Sequence, residues 1–125
     1  MTFDPKNIMG KYILDDKGNP VHELDLIKWG QWLEKGNRIV KQEYVGKYFV
    51  STVFSGIDHN FSFTNNRTPI LFETMVFDTS KKEKYKMGDI EYESMGKEME
   101  QDRYATKKQA LKGHEEMVKK YGKDK

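Results

Sequence analysis

Asp58 and His59 stand side by side in the stretch STVFSGIDHNFSF, just after a strand-like run that Gly56 can break. A carboxylate and an imidazole in a turn have two readings. Asp58 can accept hydrogen bonds from a guanine edge while His59 donates to phosphate or ribose. Alternatively, Asp58 locks the loop, because Asp side chains often bond their own backbone in turns. Together with Glu73 and His114 the pair also makes a set that could ligate a divalent metal or act as acid and base, as in a metal-dependent hydrolase. No H-E-x-x-H spacing and no glycine-rich phosphate loop supports that third reading. His114 lies on an apolar helical stripe, where a buried core histidine fits equally, and Glu73 fits a solvent-facing strand position. Binding rather than catalysis is therefore expected, with no cofactor and no metal.

A nucleotide-like ligand needs cationic groups for phosphate, aromatic faces for a base and a few edge readers. Of 22 basic residues only Arg38, Arg67 and Arg103 are arginine, and only arginine offers a planar fork to phosphate or guanine. Tyr12, Trp32 and Tyr104 are the stacking candidates, with Asp58 and His59 as readers. Arg103 and Tyr104 adjoin each other just before a helix start at Thr106, where free N–H groups favour anions. Surface ion pairs for the arginines and core positions for the rings are the plain alternatives.

The elements that must position these groups are readable in outline. KYILDDKGNPV suggests a strand, a turn and a second strand. DLIKWGQWLEKG reads as an amphipathic helix with Asp25 as N-cap and Gly36 as a left-handed C′ residue. Leu26, Trp29 and Leu33 share its stripe with Ile27 beside it, which leaves Trp32 partly exposed or at an interface. NRIVKQEYV, KYFVSTVFSGI and TPILFETMVFDT read as three strands of an antiparallel meander with the early helix packed on one face. In the last of them Glu73, Met75 and Phe77 share a face with Leu71, and Ile70, Phe72, Thr74 and Val76 share the other.

Residues 80–102 are mostly charged and read as a solvated insertion. Inside it Tyr85 and Met87, then Gly-Asp, then Ile90 and Tyr92 signal a two-residue hairpin. Such an arm packs on a partner chain or is mobile, since a lone hairpin is marginal in water. Thr106 and Gln109 form a capping box for a final helix whose stripe holds Ala110, Leu111, His114, Met117, Val118 and Tyr121. Residues 122–125 read as a frayed tail. The fold class is α+β: an antiparallel meander with an early amphipathic helix, a C-terminal helix packed on it and a charged hairpin insertion.

The totals agree with one domain over 1–125. Charged residues reach 34%, but aromatics at 13% argue for a real core. A net charge of +2 is too weak for a long nucleic acid. The absence of cysteine excludes disulfides and thiol chemistry and is compatible with a reducing compartment. The N-terminal stretch has no apolar h-region and no run approaches a membrane span, so a soluble, intracellular protein is expected.

KYILDDKGNPV, DLIKWGQWLEKGNRIV, VSTVFSGIDHNF, PILFETMVF and DRYATKKQALKGHEEMV, in that order, resemble a widespread family of small phage and prophage proteins. The family pattern is W-x-x-W, S-T-V-F-x-G-x-D-H-x-F, L-F-E-T-M-x-F, R-Y-x-T and a final G-H on a helix. The resemblance covers most of Lys11 to Val118. Many relatives join the third motif to R-Y-x-T through a short Gly/Pro loop, whereas here Thr79 to Gln101 is a longer charged insertion. In size and phage character the chain is similar to the anti-CBASS nucleotide sponges, which bind cyclic nucleotide signals of bacterial immunity without cleaving them. That likeness implies a phage anti-defence protein in the cytoplasm of the infected bacterial host. It would sequester a cyclic dinucleotide at the interface of a homo-oligomer, a dimer or tetramer. A phage accessory protein that docks on a host protein and inhibits it is the alternative.

Overall fold

Seven residues, Tyr48–Phe54, alternate strictly between buried and half-buried, and Phe72–Asp78 repeat the pattern. A period of two with β-branched and aromatic residues at both phases makes a central strand. These are β4 (Tyr48–Phe54) and β5 (Phe72–Asp78), paired antiparallel from Tyr48↔Asp78 to Phe54↔Phe72. The computed structural model describes residues 10–60 and 68–123. Arg67 therefore lies outside the described residues, as do residues 124–125 of the expected tail.

In chain order the remaining elements are β1 (Tyr12–Leu14), β2 (Pro20–His22), α1 (Leu26–Lys35) and β3 (Ile39–Val45) before the central pair. After it come β6 (Lys84–Met87), β7 (Ile90–Glu93), β8 (Lys97–Tyr104) and α2 (Lys107–Gly122). The main sheet has the order β3-β4-β5-β8, while β1-β2 and β6-β7 are separate two-stranded hairpins. The α+β reading holds: an antiparallel sheet with a short early helix and a C-terminal helix packed on it.

The covered face of the sheet carries Val50, Thr52, Phe54, Phe72, Thr74 and Val76, all nearly or fully buried. Helix α2 lies across all four strands on this side and buries Ala110, Gly113, His114, Met117 and Tyr121. Its capping box forms as expected, with Thr106 accepting from the Gln109 N–H and the Gln109 side chain accepting from the Thr106 N–H. A Cβ at Gly113 would stand 2.2 Å from the Tyr104 hydroxyl, so this glycine lets helix and edge strand approach closely.

Three expectations are corrected. The charged stretch 80–102 is not all insertion, because β8 takes Lys97 to Tyr104 into the sheet as a fourth strand against β5. Its pattern hides it, since an edge strand with one neighbour needs few apolar residues. Helix α1 does not bury the whole of its expected stripe: Leu26 and Ile27 are 62% and 72% exposed, while the off-stripe Trp32, half-buried, packs its ring edge-on to Phe54 at 5.6 Å. Gly36 is not left-handed but extended (φ −75°, ψ 153°). Glycine is needed there for space, since a Cβ would lie 2.5 Å from the Trp32 ring.

The hairpin signal at Gly88-Asp89 is met, with Gly88 at φ 61° and Tyr85↔Tyr92 and Met87↔Ile90 in register. Every residue of this arm is exposed. Among the described residues no helix is long and apolar enough to cross a membrane.

Candidate functional site

The opening turn resolves into a lock. Gly56 sits at φ 78°, and the chain then places Asp58 at 2% exposure. The Asp58 Oδ1 atom accepts the Asn60 N–H at 2.8 Å and the Ile70 N–H at 2.9 Å. Its own N–H donates to the Gly10 carbonyl at 2.8 Å. The carboxylate thus ties together the two ends of the β4–β5 connection, the backbone N–H of the same residue adds the segment before β1, and the buried side chain does not present an edge to a ligand.

His59 is different. Its backbone N–H donates to the Ile70 carbonyl at 2.9 Å, which leaves the ring half-buried near Glu73 and Arg103. Burial, then the Arg103 charge, pulls its pKa below the usual histidine value, against the pull of Glu73 and Asp58. The imidazole is therefore neutral at neutral pH and can both donate and accept. Arg103 Nε donates to Glu73 Oε2 at 3.1 Å, and the Gln101 side-chain amide donates to the same oxygen at 2.9 Å. Gln101, Asp102 and Arg103 line an open depression of about 280 Å³.

Strand register explains the cluster. Glu73 pairs with Arg103 and Met75 with Gln101, so all four point from the face opposite α2. On that face Glu73, Met75, Phe77, Phe49 and Val53 are half-buried, and Tyr44, against Phe49 at 4.7 Å, is 65% exposed. Among the described elements no helix or hairpin lies across it, because α1 and the β1–β2 hairpin pack around Phe54 on the α2 side. The face is apolar at the Tyr44–Phe49–Phe77 end and polar at the Glu73–Arg103 end.

The other expected site residues are dispersed. The Tyr12 ring stacks on His22 at 5.0 Å, and Trp32, half-buried, packs against the Phe54 cluster. Tyr104 turns its ring beneath Gly113, where burial, partly offset by Thr74, pushes its phenol pKa up. None of the three is a free stacking platform. Arg38 precedes β3, whereas Arg103 lies on β8. With β4 and β5 between those edges, three strand spacings of roughly 4.8 Å separate them by about 14 Å. The two arginines lie on opposite edges of the sheet. Gln101 and the aromatic end of the open face were missed in the sequence, although the shared face of Glu73, Met75 and Phe77 was visible.

The hydrolase set does not converge either. Glu73 is on the open face, while His114, fully buried, is on the covered one. His114 belongs to an internal chain of polar groups. Thr74 Oγ1 and Thr52 Oγ1 are 2.5 Å apart, Thr52 Oγ1 is 2.7 Å from His114 Nδ1, and His114 Nε2 is 2.9 Å from Glu43. The order hydroxyl, imidazole, carboxylate matches that of a nucleophilic triad. Thr52, however, is 0% exposed at the sheet centre, beyond reach of any substrate. Ligand atoms of Glu43, His114 and Glu115 lie within 4.8 Å of one another. The Lys41 ammonium already stands there, 2.5 Å from Glu115 and 3.5 Å from Glu43, in the place a cation would take.

No protein-family model, curated protein or solved structure matches the chain.

Proposed function

We propose that this chain is a non-catalytic binding protein that takes an anionic, base-bearing small ligand of the cyclic-nucleotide class on the open face of its sheet. The observation that carries the reading is the convergence of Arg103, Glu73, Gln101 and His59 at one end of a sheet face that no described element covers. Arg103 uses Nε on Glu73, and its Nη groups hold most of its donors for a phosphate. Glu73 and Gln101 supply the acceptor and donor that a purine edge requires, and Val53 and Met75 form an apolar floor beside them. The depression is shallow, so a tight site forms between copies of the chain rather than within one.

The resemblance to small phage proteins extends the proposal: a phage anti-defence protein that sequesters a cyclic dinucleotide by mass action in the infected host. Holding free signal at nanomolar levels takes a binding free energy of about 12 kcal/mol. The test is retention of cyclic di- and trinucleotides by the purified protein on filtration, followed by denaturation and mass spectrometry of the released material. Intact ligand is expected, and Arg103→Ala weakens retention by roughly 10- to 100-fold, the worth of a charge-assisted bond. Cleaved product, or no retention of any member of the panel, overturns the proposal.

A second reading, docking on a host protein, draws on the apolar end of the same face. Exposed contiguous apolar patches commonly mark protein contacts. Pull-down of one host protein that Tyr44→Glu abolishes and Arg103→Ala leaves intact favours that reading over the first.

A further inference from the structure

The β6–β7 arm has two unlike faces. Tyr85, Met87, Ile90 and Tyr92 share one, at 52%, 72%, 58% and 48% exposure. The other carries Lys84 opposite Glu93 and Lys86 opposite Glu91, so its charges cancel. A polyanion or an anionic membrane finds no net charge to hold on such an arm, whereas an apolar surface finds a contiguous patch.

The base of the arm is built to hold it away from its own body. The Asp78 carboxylate accepts from the Ser80 N–H at 3.0 Å and the Ser80 hydroxyl at 2.6 Å, and Lys47 lies 3.6 Å away. The Glu83 N–H donates to the Ser94 hydroxyl, and the Ser94 N–H returns to the Glu83 carbonyl. Gly96 at φ 140° passes so close under Asp78 that a Cβ would lie 2.2 Å from its carbonyl oxygen. The chain thus fixes the exit of a hairpin that, alone in water, is marginally stable. A fixed exit and a bare apolar face are wasted unless the arm lands on something.

We infer that the arm docks on the open sheet face of a second copy, whose arm docks in return, so that the chain forms a reciprocal arm-exchanged dimer. Area selects this arrangement over arm against arm. Four side chains exposed by about half or more offer on the order of 100 Å² each. Two arms packed on each other would bury about 800 Å² in total, no more than an incidental contact. Two arms on two faces bury about 1,600 Å², the size of a stable specific interface. Length agrees as well. The four residues of each arm strand span about 10 Å, so an arm seated over Phe77 stops short of Glu73, about 13 Å along β5. Such an arm covers the Tyr44–Phe49–Phe77 end and leaves the Arg103 end open at the new interface. The inference rests on the assembly part of the proposed function and does not depend on the ligand.

The test is sedimentation equilibrium of the full chain without ligand. The wild type is expected to be a dimer. An arm variant, Met87→Glu with Ile90→Glu, and a face variant, Phe77→Lys, each weaken association by roughly 30-fold or more, as loss of a central anchor does. Circular dichroism checks that both fold, and the more exposed Tyr44→Glu replaces Phe77→Lys if that variant does not. A monomeric wild type at about 100 μM, far above the dissociation constant of standard-size interfaces, overturns the inference. A face variant that stays dimeric while the arm variant does not also overturns it, in favour of arm-to-arm packing. Because mass is read without nucleotide, either failure leaves the ligand result standing on its own.

Discussion

Replacing Thr52 by valine tests whether the buried polar chain holds the sheet to α2. Valine has the shape of threonine, so no cavity opens and the loss is one hydroxyl. That hydroxyl lies 2.5 Å from Thr74 Oγ1 and 2.7 Å from His114 Nδ1, and Thr52, Thr74 and His114 are all 0% exposed. Two buried polar groups are therefore stranded, at about 1–3 kcal/mol each, for a total of about 2–6 kcal/mol. Against a domain stability of about 5–15 kcal/mol that is a large share. Thr52→Val with Thr74→Val removes one of the stranded groups together with its partner. The double variant should then lose less than the sum of the singles, with a coupling of about 1–3 kcal/mol. Urea unfolding followed by circular dichroism measures all four proteins, and an unchanged m-value keeps the comparison two-state. A Thr52→Val variant within about 0.5 kcal/mol of the parent, the range of an ordinary surface substitution, refutes the reasoning, and so does strict additivity.

The far end of the same chain makes stability depend on pH. The hydrogen bond from His114, then the Lys41 charge, holds the Glu43 carboxyl below its usual value. A depressed carboxylate contributes stability that is present above its unfolded pKa and lost as pH falls through the folded one. Thermal unfolding across the acid range should show Glu43→Gln losing less on acidification than the wild type, and parallel curves would contradict this. At the loop lock, Asp58→Ala removes two charge-assisted bonds to the Asn60 and Ile70 amides, at a cost of about 3 kcal/mol or more. Amide hydrogen exchange should accelerate at Asn60 and Ile70, and unchanged protection there would show that the loop is held by something else.

What the sequence by itself determined is local. Asp25 caps α1 and Thr106 with Gln109 caps α2 because a side chain bonds amides two or three residues away. Gly88-Asp89 closes the arm because two residues can set a hairpin turn. Alternation in β5 assigned faces because strand side chains have a period of two, and that alone put Glu73 on the side away from Thr74. The tertiary structure decided what lies across the gaps. Trp32 is off the stripe of its own helix, yet its ring meets Phe54 edge-on, a contact that only the packing of α1 against the sheet decides. Lys97–Asp102 reads as solvated charge, yet an unpaired edge of β5 recruits it through backbone bonds, to which side-chain polarity is nearly irrelevant. Arg38 and Arg103 look alike in the sequence, and only strand order places them on opposite edges of the sheet. His114 was placed on the buried stripe of its helix from spacing alone. That its partners are Thr52 and Glu43 depended on the packing of α2 across strands more than sixty residues away in the chain.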